Sequence, residues 1–339
     1  MRTLLVLGTG GTIAGVQRHG DPSGGYTAAV LGVDALLDGV DVPEGWQVRA
    51  HQVVSIDSKD MRWSVWQALA SRLAEGLADE GVAGVVITHG TDTLEETACV
   101  LDWLHDQRKP VVLTGAMRPA TADDADGPAN LRDALSAVQV LSSRGLGGTW
   151  VAMNACLWPG SLVRKVHTRE VNAFDAGGAQ PLARRLPDGV WQPAIQAWQD
   201  GPFRAVQAPL WRWFATQARP RVECVSSHAD ADGWVVRALL SADGAASLKG
   251  LVVACTGHGT VQDALADALN EACAQGVQVW RSTRVARGGV LSRADDRWPA
   301  AGPLTVAQAR VALALHLLGA PQRGCVRAFF DRPEVFKVA

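Results

Sequence analysis

The strongest constraint on the fold is an alternation of short apolar runs with segments of helical period, sustained through the first 155 residues. Strands that alternate with helices in this way build a parallel sheet covered by helices. The first run is Thr3 to Leu7. The second, Val48 to Ile56, leads into Met61, Val65, Leu69, Leu73 and Leu77, whose four-residue spacing places them on one helical face. Val82 to Ile87 is continuous and β-branched, as in a strand buried on both sides. Thr93-Leu94-Glu95-Glu96 then reads as a capping box that opens a helix. Val111 to Thr114 and Thr149 to Met153 are the fourth and fifth strands, separated by a helix that Pro128 opens.

Between Pro181 and Pro220 the periodicity fails and six prolines punctuate the chain, so a crossing linker with little regular structure is expected there. Beyond it, Leu251 to Cys255 and Val277 to Trp280 read as strands, with a helix from Val261 to Ala274 capped by Thr260. The expectation is a two-domain α/β protein: a larger N-terminal flavodoxin-like parallel sheet with helices on both faces, and a smaller C-terminal α/β domain. The boundaries are 1–195, a linker at 196–219, and 220–339. A chain of 339 residues is long enough for two cores.

Charge and cysteine usage narrow the function. Thirty-two basic and 34 acidic residues are interspersed, giving a net charge of −2 and no run that neutralises a row of phosphates, so nucleic acid is not an expected partner. The six cysteines form no C-x-x-C pair and the eight histidines no ligand spacing, so neither a metal nor an organic cofactor is expected. The apolar start Leu4 to Leu7 is too short for the core of a signal peptide and no stretch reaches spanning length, which points to a cytoplasmic protein without a membrane partner.

Ligands of open parallel sheets bind beyond the carboxyl ends of the strands. The residues there are Thr9 to Thr12, Asp57 to Asp60, Gly90 to Thr93 and Gly115 to Arg118, so Thr12, Ser58, Thr91 and Asp92 share one rim. Taken singly, Ser58, Thr91, Asp92 and Thr93 read as ordinary capping residues, and Thr93 is assigned as a cap. Thr12 differs: Gly10 and Gly11 allow close backbone approach to a ligand, and the Gly15 to Tyr26 stretch that follows has the glycines and proline of a flap. Tyr26, the chain's single tyrosine, would sit at the far hinge. Gly8-Thr9-Gly10 is not a dinucleotide fingerprint, because Ile13 stands at the third glycine position. No phosphate loop or G-x-S-x-G elbow is present.

Thr9-Gly10-Gly11-Thr12-Ile13-Ala14-Gly15 and His89-Gly90-Thr91-Asp92-Thr93, with Glu95-Glu96-Thr97, resemble the two signature segments of the bacterial-type L-asparaginases. Gly25-Tyr26-Thr27, Asp57-Ser58, Pro110 to Pro119, Ala125 to Pro128 and Ser282 to Val285 extend the resemblance over nearly the whole chain. It implies hydrolysis of L-asparagine without a cofactor, with Thr12 the covalent nucleophile, Thr91 the second hydroxyl, and Tyr26 bonded to Thr12. By the same resemblance Asp92 holds the substrate amine, Ser58 its carboxylate, and Ala116 the scissile amide through its backbone. Gly11, Asp57 and Gly90 line the site.

Lys165 aligns with the family lysine that pairs with Asp92 and Thr91, and would serve as base if desolvation lowers its pKa. Lys59 stands where the family often has Gln, and His258 where a C-terminal loop usually has Asn. Asp295 aligns with an acidic residue supplied by a neighbouring subunit. The resemblance further implies a homotetramer with sites at subunit interfaces. A glutaminase-asparaginase, a related amidase and a non-catalytic amino-acid sensor are the alternatives on the same fold.

Overall fold

The computed structural model describes residues 1–18, 25–106, 108–192, 210–241, 248–293 and 295–319. The chain divides into two compact units, Met1–Ala176 with Gln180–Thr216, and Gly177–Ala179 with Gln217–Ala339.

In the first unit, β1 (Arg2–Gly10), β2 (Trp46–Ile56), β3 (Val82–Thr88), β4 (Pro110–Thr114) and β5 (Gly148–Met153) pair in parallel in the order β2-β1-β3-β4-β5. This is the flavodoxin-like order, doubly wound with its switch point beside β1. β1 and β3 to β5 are almost wholly buried, which explains why they read as unbroken apolar runs. The sheet continues in antiparallel through β6 (Cys156–Pro159), then β9 (Ala183–Arg185) and β10 (Trp191–Gln192). A separate two-stranded ladder, β7 (Arg164–Lys165) with β8 (Phe174–Asp175), lies between β6 and β9 in the chain.

The crossovers are α1 (Trp63–Ala78), α2 (Leu94–Leu104) and α3 (Gly127–Ser143). Alternate residues of β1 face opposite layers. Leu4 and Val6 join Leu131, Leu135 and Val138 of α3 in one core, whereas Gly76 of α1 lies against Leu5 on the other face. Helices therefore cover both faces of the sheet, as expected.

Three local expectations are corrected. Thr93 precedes α2 but makes no cap; its hydroxyl donates instead to the Ser58 carbonyl at 2.8 Å. Thr260 does not cap the next helix, because its hydroxyl closes a turn with Thr256; Gln262 accepts from the Leu265 N–H and caps α6 (Asp263–Ala274). The segment expected to lack regular structure contains β9, β10 and α4 (Trp211–Phe214), whose Trp211 ring meets His105 edge-on in the first unit. Elements of two to four residues, held by tertiary pairing, leave no periodic signal. Of the proposed linker 196–219, residues 196–209 lie outside the described residues.

The second unit has a parallel sheet of β11 (Val222–Ser226), β12 (Gly250–Cys255) and β13 (Gln278–Thr283), with β12 central. α5 (Trp234–Leu240) and α6 pack on one another, and α7 (Val306–Leu317) packs on β12. A capping box between Thr305 and Gln308 starts α7. Val225, Leu251, Val253, Leu265, Leu269 and Val279 form the core.

Candidate active site

The crevice at the switch point is floored by backbone. Gly11 follows β1 with φ of 83° and ψ of −171°, a conformation reserved for glycine. A Cβ there would lie 2.3 Å from Gly90 Cα, and a Cβ on Gly90 would lie 2.5 Å from Ser58 Oγ. Three loops, from the ends of β1, β2 and β3, thus meet at distances only glycine permits. A fourth joins them after β4: Gly115 lies against the Thr91 methyl group, and Ala116 packs with Ile13.

The hydroxyl-bearing residues on this floor are buried, Thr12 being 8% exposed, Ser58 3% and Thr91 4%. Thr12 opens a short 3-10 turn, and its Oγ1 is 2.7 Å from Tyr26 Oη. Tyr26 reaches it from a two-residue strand, Tyr26–Thr27, paired antiparallel with Val16–Gln17. Of the flap read from the sequence, residues 19–24 lie outside the described residues.

Lys165 comes from β7, far away in sequence, yet its Nζ donates to Thr91 Oγ1 at 2.9 Å and to Asp92 Oδ1 at 2.6 Å. The lysine side chain is 19% exposed and that of Asp92 57%, so the pair spans from the floor to the mouth. Ser58 Oγ accepts the Asp92 N–H at 3.2 Å, which together with the Thr93 bond ties the β2 and β3 loops to each other. Asp57 caps the turn at Ser58 by accepting the Lys59 N–H, and the Lys59 ammonium lies between Asp60 at 2.6 Å and Asp57 at 3.6 Å. Those two carboxylates raise the pKa of Lys59, so its positive charge is secure at the rim.

Several supports escaped sequence reasoning. The Trp66 indole N–H donates to Thr97 Oγ1 at 2.9 Å, and His89 Nε2 lies 2.9 Å from the same oxygen, with Nδ1 2.7 Å from the Gly90 carbonyl. Because a carbonyl only accepts, Nδ1 carries the hydrogen and Nε2 accepts from Thr97, so every proton in the chain has one position. Burial pushes the His89 pKa down to about 4 and keeps the ring neutral, against a smaller opposing effect of the Gly90 carbonyl. Asn130 donates to the Gly115 carbonyl at 3.0 Å while Asp126 accepts the N–H groups of Met117 and Arg118, which fixes the loop bearing Ala116. Glu95 accepts the Lys165 main-chain N–H at 2.7 Å. Nothing in local sequence patterning reports the 31-residue separation of Trp66 from Thr97 or the 70-residue separation of Glu95 from Lys165.

The structure therefore brings together Gly11, Thr12, Tyr26, Asp57, Ser58, Lys59, Gly90, Thr91, Asp92, Ala116 and Lys165. His258 and Asp295 are exposed residues of the second unit; His258 Nε2 accepts the Leu291 N–H at 3.1 Å. No three His, Cys, Asp or Glu residues among the described residues are grouped so as to hold a metal ion.

Comparisons with known proteins match nearly the whole chain. Residues 3–192 match the family described as Asparaginase, N-terminal, and residues 221–330 match the Glutaminase/Asparaginase C-terminal domain. This chain belongs to the asparaginase family. It is 35% identical to L-asparaginase 2 of Escherichia coli over 325 residues, covering 93% of this chain and 88% of that protein. It is 34% identical to a glutaminase-asparaginase of Pseudomonas fluorescens biotype A, covering 92% of this chain and 85% of the relative. The structure of a probable cytoplasmic L-asparaginase from Campylobacter jejuni superposes with a TM-score of 0.80 at 32% identity, over 98% of this chain and 100% of that one. As a member of the asparaginase family, the protein is an amidohydrolase that acts on a small amide.

Proposed function

We propose that this asparaginase-family chain hydrolyses L-asparagine to L-aspartate and ammonia through a covalent threonine intermediate, with Thr12 as nucleophile. The observation that carries the reading is the pair of hydroxyls on one glycine floor, Thr12 bonded to Tyr26 and Thr91 bonded to Lys165. An unassisted threonine hydroxyl is a weak nucleophile, and each of these has an ionisable partner within hydrogen-bond reach.

In the first step Thr12 Oγ1 bonds to the amide carbon, the C–N bond breaks, and the hydroxyl proton completes the departing ammonia. In the second, water bonds to the acyl carbon, the Thr12 ester bond breaks, and a water proton returns to Thr12. Thr91 with Lys165 is suited to orient that water. Backbone N–H groups near the start of α2, where the helix dipole is positive, are suited to favour the oxyanion. Asp92 is placed to receive the substrate amine and Ser58 its carboxylate, with Gly11, Gly90, Asp57 and the Ala116 backbone completing the walls. No cofactor enters the scheme.

We further propose a homotetramer in which His258 and Asp295 of a neighbouring copy close the site; light scattering that gave the mass of a single chain would reject it. A cytoplasmic location is the third element of the reading. It is supported by the likeness to the Campylobacter jejuni protein. A Haemophilus influenzae relative, 33% identical, is a probable periplasmic L-asparaginase, so fractionation of the source cell decides the point.

Ammonia release from L-asparagine and L-glutamine across a concentration series, with Thr12→Ala as control, tests the function. Release from asparagine at much higher kcat/KM, abolished in the control, is expected. Comparable kcat/KM for both amides would favour the second reading, a glutaminase-asparaginase, which the Pseudomonas fluorescens relative supports. No release from either would favour a binding protein.

A further inference from the structure

Lys165 reaches Thr91 from a weak platform. β7 is two residues long and its ladder with β8 consists of Lys165 opposite Phe174 and Arg164 opposite Asp175, extended by a bond from the Val166 N–H to the Ala173 carbonyl. A two-residue ladder does not hold a side chain in register by itself. The tether is on the opposite side. Glu95 is the second residue of α2, and its Oε2 accepts the Lys165 main-chain N–H at 2.7 Å, the short length of a charge-assisted bond.

The same stretch of chain, residues 91–95, therefore holds Lys165 at three points: Nζ on Thr91, Nζ on Asp92, and the backbone N–H on Glu95. Both ends of the lysine are referenced to one short stretch, the two residues before the Thr93 N-cap and the first turn of α2. Arg164, one residue earlier, is 8% exposed; burial lowers its pKa, and the charges of Asp175 and Glu95 oppose that shift. Glu95 thus also compensates the buried guanidinium beside the lysine.

We propose that Glu95 is a positioning residue for amide hydrolysis, fixing the separation of Lys165 Nζ from Thr91 Oγ1 by anchoring the lysine's main chain to α2. The proposal rests on the functional reading above and deepens it. The competing account is that Glu95 is an ordinary first-turn carboxylate that stabilises its helix dipole and nothing more.

Two variants separate the accounts. Glu95→Gln keeps an oxygen acceptor and loses the charge, whereas Glu95→Ala loses both. Misplacement of a reacting group by about 1 Å costs on the order of 100-fold in rate. Glu95→Ala is therefore expected to lower kcat about 100-fold with KM changed less than about 5-fold, and Glu95→Gln to stay within about 5-fold of the parent in kcat. A helix-stabilising charge alone would weaken both variants alike and leave kcat per folded molecule unchanged.

The second readout does not depend on turnover. Trace acetylation of the native protein with acetic anhydride, quantified by peptide mass spectrometry, compares Lys165 with Lys59, whose side chain is 62% exposed. Lys165 labelling is expected to rise severalfold in Glu95→Ala and to stay parental in Glu95→Gln. Parental kcat and parental labelling in folded Glu95→Ala overturn the proposal, as does a loss of kcat in Glu95→Gln as deep as in Glu95→Ala. Should Glu95→Ala fail to fold, Glu95→Met, which keeps the stem without an oxygen acceptor, takes its place with the same expected fall in kcat and rise in Lys165 labelling, and parental values in it overturn the proposal. A parent that releases ammonia from neither amide defeats the asparaginase reading instead, and the labelling comparison then decides Glu95 by itself.

Discussion

Replacing Gly11 by alanine tests the geometry of the crevice most directly. The new Cβ would meet Gly90 Cα at 2.3 Å, Gly90 N at 2.4 Å and the His89 carbonyl carbon at 2.9 Å, all main-chain atoms that no rotamer change can move aside. Restoring an ordinary contact of 3.4 Å requires the β1 and β3 loops to part by about 1 Å. The backbone at φ of 83° and ψ of −171° adds strain of about 1–3 kcal/mol, and the forced separation adds about 1–3 kcal/mol as overpacking. The sum, about 2–6 kcal/mol, corresponds to a fall in Tm of about 4–24 °C for a unit of this size. Because the parting loops carry Thr12 and Thr91, kcat for ammonia release is expected to fall on the order of 100-fold in whatever fraction remains folded. Gly39→Ala is the control: φ there is 74°, but nothing lies within 4 Å of the added carbon, so only a modest loss of stability and unchanged turnover are expected. Calorimetry and a coupled ammonia assay read both quantities. A Gly11→Ala protein with parental Tm and kcat would refute the reasoning, since the two loops could not then be in backbone contact.

Three further outcomes follow from the site. The folded state holds His89 neutral with a pKa of about 4, against 6.5 for the free side chain, so the unfolded chain binds a proton between those pH values that the folded chain refuses. Above pH 6.5 this has no effect on stability, and on acidification toward pH 4 it lowers stability by about 1.4 kcal/mol per pH unit, so denaturant unfolding of His89→Gln should show a pH slope shallower by that amount; parallel curves would contradict it. Thr93→Val removes the hydrogen bond to the Ser58 carbonyl and is expected to cost about 1 kcal/mol, with KM rising more than kcat falls; an unchanged KM beside a reduced kcat would contradict the role given to Ser58. Lys165→Met keeps the stem and deletes the ammonium, so kcat is expected to drop by about 10²–10⁴ while Tm moves little, and parental turnover would remove the lysine from the reaction.

The parallel strands were legible because burial on both faces demands unbroken apolar runs, and the rim because ligands of such sheets gather past the strand ends. What sequence patterning missed was decided by partners distant along the chain. Thr93-Leu94-Glu95-Glu96 has the form of a capping box, yet the Ser58 carbonyl competes for the Thr93 hydroxyl and wins. Thr260 is lost as a cap in the same manner, to Thr256 across a tight turn. The short strands β9 and β10 exist by virtue of the sheet edge they join, so no run of residues announces them. Lys165 was reached through family resemblance, since nothing around Val163 to Thr168 marks a lysine destined for a hydroxyl in another loop. His89 and Thr97 stand in a signature segment, but nothing in the sequence reports that Trp66, 31 residues before Thr97, joins them in a relay.

A reaction chamber whose base is peptide rather than side chain has an evolutionary consequence. Ordinary amino-acid exchange cannot retune such a base: any residue larger than hydrogen at Gly11 or Gly90 collides with the opposing chain. Novelty in what the enzyme accepts is thereby displaced to the mouth, where the Lys59 side chain projects into solvent. Descendants of such a protein diverge in appetite while inheriting the same chemistry.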